Sequence, residues 1–189
     1  MGYYTGMRLV IATPLYPPDI AEPAPYAKEL AARLAGEHTV TVVAYGALPE
    51  AVSGVSVISV NKRRPLPWRL IAYTFALRRA ARQADFLYAE NGASVELPAG
   101  LVALLTGKPL LLHMGDSAAH ERSSRGGILG ATLRFAAQRA QDVITDMPLP
   151  RPEIVPLRER PVRVLEAYEQ SWKSHLAVLE TAFNHYERR

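Results

Sequence analysis

Apolar residues in this chain fall into short runs rich in β-branched side chains, separated by longer stretches with helical spacing. The runs cover residues 7–13, 39–45, 55–60, 85–90, 109–114 and 142–145. Several are almost continuously apolar, as strands buried on both faces are. Between them, apolar positions recurring every three or four residues predict helices at 25–35, 66–83, 94–106 and 128–141. Strands alternating with helices are the sequence form of βαβ units. We therefore expect an α/β fold, one domain with a mainly parallel sheet of about six or seven strands flanked by helices.

The link at 46–54 is short for a crossover helix, so it holds a minimal helical turn or joins antiparallel strands. Residues 1–6 read as a leader and 7–147 as the α/β domain. Pro148, Pro150, Pro152, Pro156 and Pro161 make 148–161 an extended linker, because closely spaced prolines exclude a regular helix. Residues 162–189 follow as one long amphipathic helix or two short ones. Leu165, Tyr168, Trp172, Leu176, Leu179 and Phe183 form its apolar stripe. That stripe is expected to pack back on the α/β body, with a helix-mediated dimer as the alternative.

The chain has 189 residues, enough for one domain with a substantial core. No apolar run is long enough to span a bilayer and no signal-peptide pattern opens the chain, so a cytoplasmic protein is expected. With no cysteine, thiolate chemistry is excluded. The net charge of +4 is local in origin: seven basic residues and no acid lie between Asn61 and Ala84. No zinc, helix-turn-helix or aromatic-basic strand motif accompanies them, which argues against nucleic acid.

Candidate chemistry gathers at predicted strand ends. The loop after the first strand carries Tyr16 and Asp19 and leads into a helix start, where open α/β sheets place their ligand crevice and where backbone N–H groups attract anions. Glu90 and Asn91 end the fourth strand and suit hydroxyl-bearing ligands, although Asn91 also fits a turn. His113 ends the fifth strand. Asp116 follows it, either binding hydroxyls or capping a helix. Arg122 suits an anionic group or a solvated loop. The spacing of His113, Asp116 and His120 fits no metal motif, and no metal site is expected.

Residues 9–13, Tyr16-Pro17-Pro18-Asp19-Ile20, 26–34 and 38–43 together resemble the opening of family 4 glycosyltransferases, retaining enzymes built from two Rossmann domains. Residues 84–91 and 107–116 are similar to that family's fourth and fifth strands, and 142–145 and 153–156 to its last first-domain segments. The resemblance implies a single Rossmann-like domain of the acceptor-binding type, with a histidine at the position of His113 contacting the transferred sugar. It also implies a nucleotide-sugar donor and no tightly bound cofactor. In the family a Gly-Gly pair lets backbone approach the donor diphosphate. Here Ala21 and Glu22 stand in that place, adding a Cβ and a negative charge. No second βαβ set follows, so the donor-binding half is expected to be absent or supplied in trans, with a homo-oligomer as the other partner arrangement.

The helix from Leu66 has two apolar faces. Leu66, Leu70, Tyr73 and Leu77 are expected toward the sheet. Trp68, Ile71 and Phe75 fall opposite, together with Arg78, Arg79 and Arg82. Such a face suits peripheral contact with the inner surface of a membrane, a homodimer or a partner domain.

Overall fold

Among the described residues six strands form one sheet: β1 (Arg8–Thr13), β2 (Thr39–Tyr45), β3 (Val55–Val60), β4 (Phe86–Glu90), β5 (Leu110–His113) and β6 (Asp142–Ile144). The order is β3-β2-β1-β4-β5-β6, and every neighbouring pair is parallel. Five helices accompany them among the described residues: α1 (Ala24–Leu34), α2 (Leu66–Ala81), α3 (Ala93–Thr106), α4 (Gly127–Arg139) and α5 (Val162–Glu187). This is the expected α/β fold, with the strand order reversing at β1 and β4. The computed structural model describes residues 6–21, 23–46, 48–115, 121, 126–150 and 162–187. It divides into two units, Met1–Ile144 and Thr145–Arg189.

Alternation along the strands divides the core of the first unit. Val10 and Ala12 of β1, Val43 and Tyr45 of β2, and Leu87 and Ala89 of β4 point to one face. There they pack with Tyr73, Leu77 and Ala81 of α2, Val95, Ala99 and Val102 of α3, and Ala136 of α4. Leu9 and Ile11 alternate to the other face, the side covered by α1, whose Ala27, Leu30, Ala31 and Leu34 are buried. Helices α3 and α4 meet closely at Gly100, where a Cβ would stand 2.7 Å from the Phe135 ring.

The link between β2 and β3 corrects both expectations. The strands are parallel, with Val40 opposite Val55, and the described residues of the link are not helical. An extended crossover suffices, because Glu50 donates its N–H to Pro17 O at 2.9 Å and Lys28 pairs with the Glu50 carboxylate, tying the link to the first loop and to α1. Leu66 also departs from expectation. It is 55% exposed, because it is the first residue of α2, whose sheet contact is carried by Tyr73 and Leu77.

In the second unit α5 is one continuous helix of 26 residues. Tyr168, Trp172, Leu179 and Phe183 are buried as expected of the stripe, whereas Leu165 is 41% exposed. His175 is buried with the stripe. Its Nδ1 lies 2.8 Å from Asp146 Oδ2, and its ring meets Trp172 edge-on. The Ser171 hydroxyl accepts the Leu149 N–H at 3.0 Å. Of the Pro-rich segment, residues 151–161 lie outside the described residues.

Candidate functional site

The carboxyl ends of β1, β4 and β5 lie side by side at the point where the strand order reverses, the position at which open α/β sheets bind ligands. Glu90 pairs in register with His113, and Thr13 follows the Ala12–Ala89 pair. Strand parity turns Thr13, Glu90 and His113 to the α1 face. The Thr13 hydroxyl stands 2.6 Å from Glu90 Oε2 and 2.7 Å from Leu15 O. Asn91 donates its backbone N–H to His113 O at 2.8 Å, holding the two strand ends together.

Tyrosines fill the space around this row. The ring of Tyr26, in the first turn of α1, stacks on the His113 imidazole at 4.9 Å between centroids, and Tyr88 lies 5.8 Å away. The hydroxyls of Tyr26 and Tyr88 are 2.6 Å apart. An imidazole hydrogen-bonds in its ring plane through Nδ1 and Nε2. Stacking on Tyr26 therefore fixes the direction in which His113 can donate or accept. His113 and Glu90 are 1% exposed and Asn91 is 2% exposed. Of the predicted site residues, Glu90, Asn91 and His113 thus lie together at adjoining strand ends, as a buried cluster.

The first loop is braced from outside. Asp19 donates its N–H to Tyr16 O at 3.2 Å, closing a turn, and its carboxylate pairs with Lys62 at the end of β3. Tyr16 is buried, and burial raises its phenol above the ordinary range, reinforced by the Glu50 charge. Its hydroxyl has no hydrogen-bond partner among the described residues. Ala21 accepts the Ala24 N–H at 2.9 Å just ahead of α1. Glu22, Asp116, His120 and Arg122 lie outside the described residues.

Further tyrosines brace the sheet's other face. Tyr73 of α2 donates to Val43 O at 2.8 Å, and Tyr45 stacks on it at 4.3 Å. The Tyr45 hydroxyl donates to Ser94 O at 2.9 Å, and the Arg69 guanidinium lies over the Tyr45 ring. At the start of α3, Glu96 is fully buried. It accepts the Gly92 N–H at 2.9 Å and lies 3.1 Å from the Thr132 hydroxyl of α4. Burial pushes its carboxyl above the ordinary range.

Thr13, Tyr26, Tyr88 and Glu96 were not singled out from the sequence. For Tyr88 the available signal is period-two parity with Glu90, and for Tyr26 it is the phase of α1 relative to Leu30. Trp68, Ile71 and Phe75 lie on the outer side of α2 and are substantially exposed, as is Arg82, while Arg78 is half-buried. Arg79 lines a separate cavity of about 250 Å³ at the amino end of β1–β3, together with Arg8, Thr39, Thr41, Ser56 and Gln83. Among the described residues no group of three or more His, Asp or Glu gathers as a metal site, and no helix is long and apolar enough to cross a membrane.

Residues 22–165 match the model of the glycosyl transferase 4-like domain, which is more than half of the chain. The chain belongs to that family. No curated protein sequence matches this glycosyl transferase 4-like domain. Among solved structures it is similar to HepE of Anabaena, determined in complex with UDP and glucose, with a TM-score of 0.52 and 16% identity over 72% of this chain and 37% of that one. A putative UDP-N-acetylglucosamine 2-epimerase of Listeria monocytogenes is similar at a TM-score of 0.50 and 12% identity, over 74% and 39% of the two chains. The C-terminal domain of the coenzyme A biosynthesis bifunctional protein CoaBC is similar at 0.53 and 10% identity, over 97% of each chain. At these identities the likeness is one of fold. The glycosyl transferase 4-like domain spans less than two fifths of the first two structures.

Proposed function

We propose that this domain is the acceptor-binding half of a retaining, nucleotide-sugar-dependent glycosyltransferase and acts with a donor-binding partner. The observation that carries the reading is the pairing of Glu90 with His113 at adjoining strand ends beside the start of α1. In this reading His113 hydrogen-bonds the transferred sugar, while Glu90, Asn91, Tyr16, Asp19, Asp116 and Arg122 serve the acceptor. The partner grips the donor diphosphate, since Ala21 and Glu22 occupy the loop where close backbone approach calls for glycine. HepE was determined with UDP and glucose, which is in keeping with this ligand class. The nucleotide sugar is a substrate here and no resident cofactor is invoked.

A second reading, a non-catalytic module for a glycan or lipid headgroup, is favoured by one observation. His113, Glu90 and Asn91 are all buried, and the Tyr26 ring rests on His113.

Calorimetric titration with a panel of nucleotide sugars tests the first reading. The chain alone should give no saturable binding below about 1 mM, equivalent to about −4 kcal/mol. Tight donor binding by the chain alone would overturn the need for a partner. Binding of a free glycan without any nucleotide, lost in His113→Ala, would select the second reading.

A further inference from the structure

The outer face of α2 has a chemistry that the proposed crevice does not use. Trp68 and Phe75 are each 65% exposed and Ile71 is 47% exposed. At about 100° per residue the three fall within about 60° of one another, roughly opposite Tyr73, Leu77 and Ala81 on the buried side. An aromatic pair and an isoleucine aligned on one helix face make a contiguous apolar patch rather than scattered surface residues.

Along its own segment the patch is flanked by charge of one sign. Of the seven basic residues between Asn61 and Ala84, Lys62 pairs with Asp19 and Arg69 lies over Tyr45. Arg63 and Arg64 precede α2, and Arg78, Arg79 and Arg82 close it. None of these five makes a side-chain ion pair among the described residues. Arginines at both ends of an aromatic stripe can lay their stems along an apolar layer and keep their guanidinium groups among headgroup phosphates. No acidic residue on this segment opposes that attraction.

We infer that the Trp68–Ile71–Phe75 face of α2 docks on an anionic lipid surface, with Arg64, Arg78 and Arg82 contacting headgroup phosphates. A bilayer is chosen over an acidic protein because the apolar stripe lies flat along a helix between cationic ends, the layout of an interfacial helix. The inference goes beyond the glycosyltransferase reading and stands without it.

Trp68 is also the reporter. The chain has two tryptophans, and the other, Trp172, is 2% exposed. A blue shift on lipid addition therefore reads Trp68. The full chain should shift and cosediment with vesicles in which a third of the phosphatidylcholine is replaced by phosphatidylglycerol, and leave pure phosphatidylcholine vesicles unbound. Raising salt to about 0.5 M should weaken binding. An exposed arginine near such a surface contributes about fivefold to affinity, so Arg64→Gln with Arg82→Gln, both exposed, should lose about twenty-five-fold. Trp68→Ala with Phe75→Ala should abolish cosedimentation while circular dichroism stays unchanged.

Absence of binding to the anionic vesicles by the folded chain overturns the proposal. So does equal binding to neutral vesicles, or self-association that disappears with Trp68→Ala and Phe75→Ala, which would assign the face to a second copy.

Discussion

Replacing Glu96 by glutamine should stabilise this protein at neutral pH and leave its stability unchanged in acid. Glu96 is fully buried at the start of α3. Its Oε1 accepts the Gly92 N–H at 2.9 Å, and its Oε2 lies 3.1 Å from the Thr132 hydroxyl. That hydroxyl is closer still to Leu129 O, at 2.8 Å. A threonine hydroxyl carries one proton. Given to Leu129, it leaves a charged carboxylate oxygen facing a lone pair. A protonated Glu96 instead donates to Thr132, Thr132 donates to Leu129, and every group is satisfied. Burial raises the carboxyl above its ordinary value of 4.5, outweighing the Gly92 N–H bond that lowers it.

The sign follows from linkage. Between the unfolded value and the raised folded one, the native state holds a proton that the unfolded chain has released, so stability falls as pH rises through that window. Above the folded value the loss is complete. Glutamine offers the same Oε1 to Gly92 and an N–H to Thr132 with no proton to lose. One restored buried hydrogen bond is worth about 1–2 kcal/mol. In a domain of this size that corresponds to roughly 3–6 °C in melting temperature. Thermal unfolding of both proteins should coincide near about pH 4 and separate by that amount near about pH 8. Destabilisation at the higher pH, or a difference that does not change with pH, would refute the reasoning.

Two other substitutions probe the frame around the crevice. Gly100→Ala places a Cβ 2.7 Å from Phe135 Cε1 and 3.4 Å from Ala136 Cα. Overpacking of about 1–3 kcal/mol exceeds the helix-propensity gain of about 1 kcal/mol, so urea denaturation should show a net loss; a gain would mean that Phe135 swings aside freely. Asp85→Asn removes the carboxylate that Arg8 holds below its usual range through a side-chain hydrogen bond, at 2.6 Å for the shorter contact. Because that pKa is lowered, its contribution is present above about pH 4 and disappears as pH falls through the folded value; the asparagine variant should therefore show a slightly flatter acid limb in a stability profile, and an unchanged limb would dismiss the pair.

Much of the frame was legible because burial on both faces writes itself into the sequence. Strand β2, buried over most of its length, coincides with its apolar run, the edge strand β3 coincides with a β-branched one, and the helices between strands have clear phases. The link between those two strands was misread because a crossover was equated with a helix. Strand β3 starts opposite Val40, five residues before the end of β2, so the chain must return about 17 Å. Nine extended residues reach about 30 Å, and the remaining slack lets Glu50 reach Pro17. The same assumption, that a residue's fate follows from its own segment, placed Leu66 inside and left His175 out of the α5 stripe. Helix phase gives a direction, whereas coverage depends on where neighbouring elements stop.

The crevice marks the sharper limit. Strand ends pointed to His113 and Glu90, since residue type and position are local facts. What surrounds them is not local. Tyr26 arrives from α1 and Tyr88 from one pleat below Glu90, and their hydroxyls meet 62 residues apart in sequence. That contact bears directly on the proposed chemistry. A ligand reaching the His113 ring from the Tyr26 side must give up a stacking contact worth about 1 kcal/mol and a hydrogen bond of about 1 kcal/mol. The deficit of about 2 kcal/mol is about thirtyfold in affinity. The weak binding that the proposed function expects of the chain alone is accounted for by a tyrosine already seated on the histidine. A donor-side partner that contributed binding energy to moving Tyr26 would couple donor loading to exposure of His113.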